Sequence, residues 1–176
     1  DSGKAIGVEY KRQKGIFRVY GERIIVAGGA LVSPVILRNS GVRNVEDNGY
    51  YIDPSIGLIG SVPGLEGKEN FCGCMGAKMD DEISLIGANF SRLLFNVAMI
   101  TTFRPFRIPF YHRQMAILAK THDKVSGRLL ENGRFHKDLD EQDLRRVKRG
   151  EEAIRNILRN AGAKNIISTG IITGGV

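Results

Sequence analysis

The longest helical pattern in the chain spans residues 141–161, and it constrains the fold more than any other segment. Its apolar side chains recur at helical spacing and form one stripe: Leu144, Val147, Ile154, Ile157, Leu158 and Ala161. Asp140 is placed to cap its first turn, and Gly162 is placed to end it. A helix with one apolar stripe needs a second layer on which to bury that stripe, so we expect it to pack on a sheet.

Shorter segments predict the strands of that sheet. They alternate apolar and polar side chains or form continuous apolar runs, and turn residues separate them. These segments are residues 5–10, 16–20, 23–27, 115–120 and 128–130, with a tight turn at Asn132-Gly133. The chain therefore predicts an α+β fold, a mainly antiparallel sheet with helices packed on one face.

Three stretches are harder to interpret. Residues 43–70 are rich in Gly, Pro, Asn and Asp, which predicts a long connection with one or two short strands and a domain seam. Residues 83–103 fit helical spacing in part and strand spacing in part, so both remain open. Pro105 and Pro109 break any long helix across 103–111, which is predicted to be extended or looped.

Residues 23–42 form a junction that could approach a ligand. Arg23–Ala27 suits a strand buried on both faces, and it stops at Gly28-Gly29. Ser33-Pro34 then predicts the start of a short helix over 35–37, which Gly41 ends. Small residues let a backbone or a flat cofactor come close, and helix N-terminal amides favour phosphate or other acceptors. Close packing of the chain is the alternative explanation.

The order of residues in this junction resembles the second sequence signature of glucose-methanol-choline (GMC) oxidoreductases. Only the last fixed position of the signature fails to match, because Arg43 stands where the signature has glycine. The matching positions are Gly29, Ala30, Ser33, Pro34, Ile36, Leu37, Ser40, Gly41 and Val42. The preceding hairpin and strand resemble the late hairpin and strand of the family's FAD domain. More loosely, Asp123–Arg128, Asn132-Gly133 and Ala161–Ala163 follow the order of its substrate domain.

This resemblance implies an FAD-dependent oxidoreductase that oxidises a C–OH group of a small alcohol-type substrate by hydride transfer to the flavin. Residues 1–45 would be the hairpin, strand and signature helix of the FAD-binding domain, and 46–176 a substrate-binding (cap) domain truncated at its C-terminal end. The predicted cofactor-binding residues are Gly28, Gly29, Ala30, Ser33 and Pro34. The piece would form a wall of the substrate pocket.

The catalytic residues implied by the resemblance are expected beyond Val176. The chain is thus expected to be an interior fragment that alone holds no FAD and has no activity. The family's Asn-Leu-x-Asp-His element is replaced by residues 44–49, and the Gly-x-Gly-x-x-Gly fingerprint is absent: the glycine pairs 57/60, 64/67 and 73/76 follow no good strand. A non-catalytic ligand-binding domain, or another flavoprotein family with the same fold, remains an alternative.

Charge and cysteine content exclude other classes. The net charge of +7 suggests nucleic acid, but acidic and basic residues are interspersed, so no nucleic-acid partner is expected. Cys72 and Cys74 are too few for a zinc site and too close for an unstrained disulfide, which favours reduced thiols, a cytoplasmic location and no metal. No apolar run is long enough to predict a membrane span.

A few further groups have two interpretations. His112, His122 and His136 could each line a substrate pocket, but surface positions are more usual. Asp80-Asp81-Glu82 could be a carboxylate site or a solvated helix start. The aromatic segment 103–111, with Arg104, Arg107 and Arg113, could line a channel or touch a partner or a membrane surface. Strands with arginines snorkelling outward are the alternative.

Overall fold

The computed structural model describes residues 3–43, 45, 48–65, 75–88, 91–130 and 134–173. Its elements are β1 (Gly7–Arg12), β2 (Gly15–Tyr20), α1 (Gly29–Asn39), β3 (Asn48–Tyr50), β4 (Pro54–Ser61), β5 (Gly76–Lys78), β6 (Ile83–Ala88), α2 (Arg92–Thr101), a 3-10 helix (Pro105–Arg113), β7 (Gln114–Thr121), β8 (Gly127–Leu129), β9 (Phe135–His136), α3 (Glu141–Asn160) and β10 (Lys164–Thr173). Helices combine with mostly antiparallel sheets, which confirms the predicted α+β class. The chain divides into two compact units, Asp1–Asp47 with Leu129–Phe135, and Asn48–Arg128 with His136–Val176.

The first unit begins with the predicted hairpin. Strands β1 and β2 pair antiparallel from Gly7 opposite Tyr20 to Arg12 opposite Gly15. The rings of Tyr10 and Phe17, on opposite strands, stack with their centroids 5.6 Å apart. This cross-strand pair fixes the register of the hairpin.

The predicted strand over residues 23–27 is wrong. These residues form no ladder with any strand of the described chain, and the Ile25 side chain is 89% exposed. A strand buried on both faces needs neighbouring strands to take its backbone N–H and C=O groups. An apolar run alone does not supply those neighbours, so its composition was not sufficient to define a strand.

Helix α1 begins earlier than the Ser33-Pro34 start predicted from the sequence. Gly28 is its N-cap and Pro34 lies inside it. Proline removes only one backbone hydrogen bond here, and the Ser33 hydroxyl accepts one from the Gly28 amide at 3.0 Å. The early start therefore gains a turn of helix, and Ser33 stabilises that turn from within.

The end of α1 is as predicted. Gly41 has φ of 80°, a left-handed conformation that favours glycine. Its amide donates to the Arg38 carbonyl at 2.9 Å, and the Val42 amide donates to the Leu37 carbonyl at 3.1 Å. These two bonds form a Schellman motif.

The second unit contains a five-stranded antiparallel sheet in the order β10-β4-β7-β6-β5. Helix α3 packs on one face, as predicted for residues 141–161, in a cluster of Ile56, Leu58, Ile83, Ala119, Val147, Ile154 and Leu158. On the other face, Phe95 and Met99 of α2 pack in a cluster of Ile59, Ala88, Phe95, Met99 and Ala116. The sequence predicts helices on one face only, because the pattern over residues 83–103 does not distinguish a helix from a strand.

Helix α3 has both predicted ends. The Asp143 amide donates to the Asp140 side chain at 2.9 Å, and the Asp140 amide donates back to the Asp143 carboxylate at 3.1 Å. This is a reciprocal capping box. At the other end Gly162 has φ of 72°, and its amide donates to the Arg159 carbonyl at 2.9 Å.

Strand β4 is the largest departure from the prediction. Residues 43–70 were expected to be mainly a connection, yet Pro54–Ser61 is an eight-residue strand at the second position of the sheet. A Cβ at Gly57 would lie 2.8 Å from the Leu118 Cδ2, and one at Gly60 would lie 2.9 Å from the Ala163 Cβ. Glycine is needed at both positions because neighbouring side chains occupy the space of a Cβ, and neither glycine lies in a turn.

The other undecided stretches are now assigned. Residues 83–103 contain strand β6 followed by helix α2. Residues 103–111 lie mostly in the 3-10 helix, so the prediction of an extended or looped segment is wrong there. Pro105 and Pro109 exclude a long α-helix, but they are compatible with short 3-10 turns. The unpredicted strand β10 lies at one sheet edge and has two bulges, between Lys164 and Ile167 and between Ser168 and Ile171. Cys72, Cys74 and Asn132-Gly133 lie outside the described residues.

Candidate functional site

Two places in the chain could approach a ligand, and each lies within one unit. The first is the N-terminal turn of α1. Gly28, Gly29 and Ala30 are all exposed, and Gly29 has φ of 76°. A Cβ at Gly28 would lie 3.1 Å from the Val32 Cγ1, whereas a Cβ at Gly29 would meet nothing within 4 Å. Gly28 is thus constrained by packing, and Gly29 by its backbone conformation beside open space.

The other two predicted cofactor-binding residues shape this turn. Ser33 is engaged with the Gly28 amide, and Pro34 has no N–H to donate. The N-cap residue Gly28 supplies no side-chain cap to the helix. An exposed turn without bulky side chains, at the positive end of a helix, suits a flat cofactor that carries hydrogen-bond acceptors. Contact between any of the five residues and a cofactor stays a prediction.

The second place is a cavity of about 390 Å³ in the second unit. It lies at the end of the sheet where β4 and β6 begin and β7 ends. Its lining is Tyr51, Asp53, Ser84, Lys120, Thr121, His122, Asp123 and Val125. The volume falls within the range of small-molecule sites, and most of the lining side chains are polar.

An ion pair and a strained backbone mark one wall of the cavity. The Lys120 ammonium lies 2.9 Å from the Asp53 carboxylate. Asp53 has φ of 44°, in the left-handed region that few non-glycine residues adopt. Strained residues persist where the surrounding structure holds them, and they concentrate at functional sites.

Asp123 holds Asp53 in this conformation. Its carboxylate accepts the Asp53 amide at 3.0 Å and the Ile52 amide at 3.2 Å. The Lys137 ammonium lies 3.1 Å from the same carboxylate and 3.9 Å from that of Asp143. The Lys137 side chain is 1% exposed, and those of Asp123 and Asp143 are 0% exposed. A buried ion triad therefore fixes the cavity wall.

The same triad holds three residues of the Asp123–Arg128 motif in place: Asp123, Lys124 and Ser126. Lys137 donates to the Ser126 hydroxyl at 2.8 Å and to the Lys124 carbonyl. The Lys124 amide donates to the Asp143 carboxylate at 3.0 Å. Sequence reasoning used the motif only as a family resemblance and missed Lys137 completely. Nothing in the sequence distinguishes this lysine from the many exposed ones.

Asp80 and Glu82 pair with arginines of α3, whereas Asp81 is exposed and pairs with Lys78, so the prediction of a helix start at residues 80–82 is wrong. Glu82 accepts the Arg146 guanidinium at 2.8 Å and that of Arg149 at 3.3 Å. The hydrogen bond from Arg146 is the main cause that lowers the pKa of Glu82. Asp80 accepts the Glu82 and Ile83 amides, both at 2.8 Å, and the bond from Glu82 is the main cause that lowers the pKa of Asp80.

These shifts predict an acid-sensitive fold. The pKa of Asp140 is lowered too, chiefly by the Asp143 amide. A carboxyl group with a lowered folded-state pKa stabilises the fold above its unfolded-state pKa, and this is lost as the pH falls through the folded-state value. We expect the urea midpoint to fall as the pH drops below about 4. In D80N the fall should be shallower, and an unchanged slope would contradict the assignment.

The histidines occupy three different environments. His122 lines the cavity, His112 is exposed in the 3-10 helix, and the His136 ring lies 3.1 Å from the Asp138 carboxylate. Across the described ranges, no group of three or more His, Cys, Asp or Glu side chains could hold a metal ion. None of the described helices is long and apolar enough to cross a membrane.

The exposed glycine turn of the first unit and the polar cavity of the second unit could each take a small ligand. Comparison with known families identifies the class of protein. The profile described as GMC oxidoreductase matches residues 1–92, which is more than half of the chain. The chain therefore belongs to the GMC oxidoreductases, a family of flavin-dependent enzymes. No curated protein matches the chain significantly.

Proposed function

We propose that the full-length protein oxidises a C–OH group of a small alcohol-type substrate, with FAD as the hydride acceptor. The family membership carries this proposal, because the profile match covers the N-terminal signature turn. FAD supplies the hydride acceptor when it is bound. Residues 1–45 are proposed to belong to the FAD-binding domain and 46–176 to the substrate-binding domain, in a cytoplasmic enzyme.

The N-terminal turn of α1 would approach the flavin through its backbone. Gly29 and Ala30 are exposed, and a Cβ at Gly29 would meet nothing within 4 Å, so a flat ring could come close to the backbone there. Ser33 holds this turn through the Gly28 amide. Ser33 and Pro34 would then position the turn, while the backbone at Gly29 would face the cofactor.

The cavity of the second unit would form the wall of the substrate pocket. It offers an ammonium at Lys120, a carboxylate at Asp53 and a hydroxyl at Ser84. A neutral alcohol can donate to the carboxylate and accept from the ammonium, whereas an apolar substrate would leave both groups desolvated. Asp123 and Lys137 hold the wall rigid, which keeps these groups in fixed positions.

Flavin content tests the proposal. The full-length protein should be yellow, and its visible absorbance should bleach when alcohols are added without oxygen. G29A should weaken FAD binding about ten-fold or more, because the new methyl group takes the open space beside the turn and strains the backbone. In K120M the flavin content should be unchanged, while half-maximal bleaching should need more alcohol.

Gly41 provides a matched control at the other end of the same helix. It also has a positive φ, and a Cβ there also meets nothing within 4 Å. G29A and G41A should therefore lose similar stability, about 1 kcal/mol, but only G29A should lose flavin. A colourless full-length protein would overturn the proposal in favour of a non-catalytic ligand-binding domain. Equal flavin loss in both variants would overturn the role of Gly29.

A further inference from the structure

The second unit has an exposed apolar surface whose side chains are not buried against either face of the sheet. Helix α2 buries Phe95 and Met99, yet it also carries an outward stripe of Leu93, Leu94, Val97 and Ile100. The turn after the helix and the 3-10 helix extend this stripe with Phe103, Phe106 and Phe110. We call these seven residues the α2 surface. A helix that is apolar on both sides is normally covered on both sides.

Phe103 is the most unusual residue of the α2 surface. It is 90% exposed and has φ of 56°. Its amide donates to the Ile100 carbonyl at 3.0 Å, and the Arg104 amide donates to the Met99 carbonyl at 2.7 Å. This is a Schellman motif with phenylalanine at the position that normally holds glycine. An aromatic residue is strained there, and its ring makes no compensating burial, so the fold itself gains nothing from phenylalanine at this position.

The sequence segment that carries the α2 surface has charges of one sign. Residues 83–122 contain no Asp or Glu, but they contain Arg92, Arg104, Arg107, Arg113 and Lys120. Arg92, Arg104 and Arg113 are exposed and form no ion pair within the part of the chain that the structure describes. Arg113 lies over the Phe110 ring at 6.0 Å from its centroid. The surface therefore complements a negatively charged partner.

Arg107 strengthens the positive field beneath this surface. Its side chain is buried, with one hydrogen bond to the Gln114 amide oxygen at 3.0 Å, and its Nη1 atom has no partner among the described residues. Burial lowers the pKa of the Arg107 guanidinium, and the nearby charge of Arg104 lowers it further. None of the four arginines forms an ion pair with a carboxylate of the described residues.

We propose that the α2 surface binds in the interface of an anionic lipid bilayer, with Phe103 and Phe106 inserted and Arg92, Arg104 and Arg113 at the headgroups. Exposed aromatic and aliphatic side chains bordered by arginines are the pattern of an interfacial helix. A second copy of the chain fits poorly, because two α2 surfaces would bring arginines together without acidic partners. Phe103 protrudes from a turn, which suits insertion into lipid more than a flat protein contact.

Flotation of the full-length protein with vesicles tests this surface. We expect binding to vesicles of phosphatidylcholine with about a third phosphatidylglycerol, and much weaker binding to phosphatidylcholine alone, because arginines gain affinity only near anionic headgroups. R104Q/R113Q should lose about five-fold in affinity per arginine. R145Q removes an exposed arginine from α3, outside the α2 surface, and should leave binding unchanged.

F103G is the decisive variant, because its two effects have opposite signs. Glycine relieves the left-handed strain at this position, so the urea midpoint should stay the same or rise. Loss of the inserted ring should weaken vesicle binding about ten-fold or more. A destabilised F103G protein would show that the ring packs within the fold, which would overturn the proposal.

Three further outcomes would overturn it. Absence of vesicle binding by the full-length protein would show that something else covers the α2 surface. Equal binding to both vesicle types would show that the arginines do not contribute to membrane binding. A dimer in light scattering that F103G converts to a monomer would make the α2 surface an interface between copies of this chain.

Discussion

Lys137→Met should cost about 3–5 kcal/mol of the free energy of unfolding, the largest loss expected from a single substitution in this chain. Lys137 is the ammonium of the buried triad and lies 3.1 Å from Asp123 and 3.9 Å from Asp143. Methionine has a similar size but leaves both carboxylates without this cation. Asp143 keeps the Arg146 guanidinium at 3.1 Å, whereas Asp123 keeps only backbone amides. Urea denaturation followed by circular dichroism measures the loss.

Two controls separate charge from packing. Lys124→Met removes an exposed lysine from the adjacent turn and should change the free energy of unfolding by less than about 0.5 kcal/mol. The double variant K137M/D123N removes the Asp123 carboxylate that K137M leaves without a cation. It should therefore regain part of the lost free energy of unfolding. A K137M protein within about 1 kcal/mol of the wild type would show that the triad is hydrated and does not hold the cavity wall.

Gly150→Ala should destabilise the chain by about 1–3 kcal/mol, although alanine is normally the better helix residue by about 1 kcal/mol. Gly150 lies in the middle of α3, and a Cβ there would lie 2.6 Å from the Ala119 Cβ of strand β7. Ile83 and Thr121 surround the same point at 3.7 and 3.9 Å. The Ala119 methyl is fixed to the backbone, so the helix must move away from the sheet.

The double variant G150A/A119G tests the cause directly. It transfers the methyl group from the strand to the helix and should return the free energy of unfolding to within about 1 kcal/mol of the wild type. A119G alone should be destabilised by the cavity and by strand glycine. If G150A is as stable as the wild type, the close contact between α3 and β7 is absent. If the losses of the two single variants add in the double variant, the contact between these methyl groups is not the cause of the destabilisation.

The sequence predicts α3 well, because its signals are local. The apolar stripe, the Asp140 cap and Gly162 lie within one segment, and each acts over a single helical turn. The hairpin β1–β2 was predicted for the same reason. Both elements contain within themselves the interactions that determine them, so no knowledge of the distant chain was needed.

Strands β4 and β10 show why the rest was not predictable. Gly57 and Gly60 indicate a loop by composition, but they are required by Leu118 and Ala163, residues far away in the sequence. The reverse error occurred at residues 23–27, where an apolar run has no strand beside it. In each case the outcome depends on tertiary neighbours that a local pattern does not specify.

The site divides in a similar way. The resemblance over Gly29–Val42 led to the family, which the profile match confirms, while the cofactor role of the turn at Gly28–Ala30 stays a prediction. Nothing local pointed to the cavity, because Asp53, Lys120 and Lys137 come together only through the sheet register and the turn that Asp123 holds. Positions that act through burial of charge need the fold before they can be recognised.

The two edges of the five-stranded sheet limit how this protein can aggregate. Strand β10 is interrupted by two bulges, with Asn165 at φ of 54° and Gly170 at φ of 76°, and β5 on the other edge has only three residues. A bulged edge cannot present a regular row of amides and carbonyls, and a three-residue edge is too short to hold an added strand. Growth of fibrils from either edge is therefore disfavoured even when the chain is concentrated.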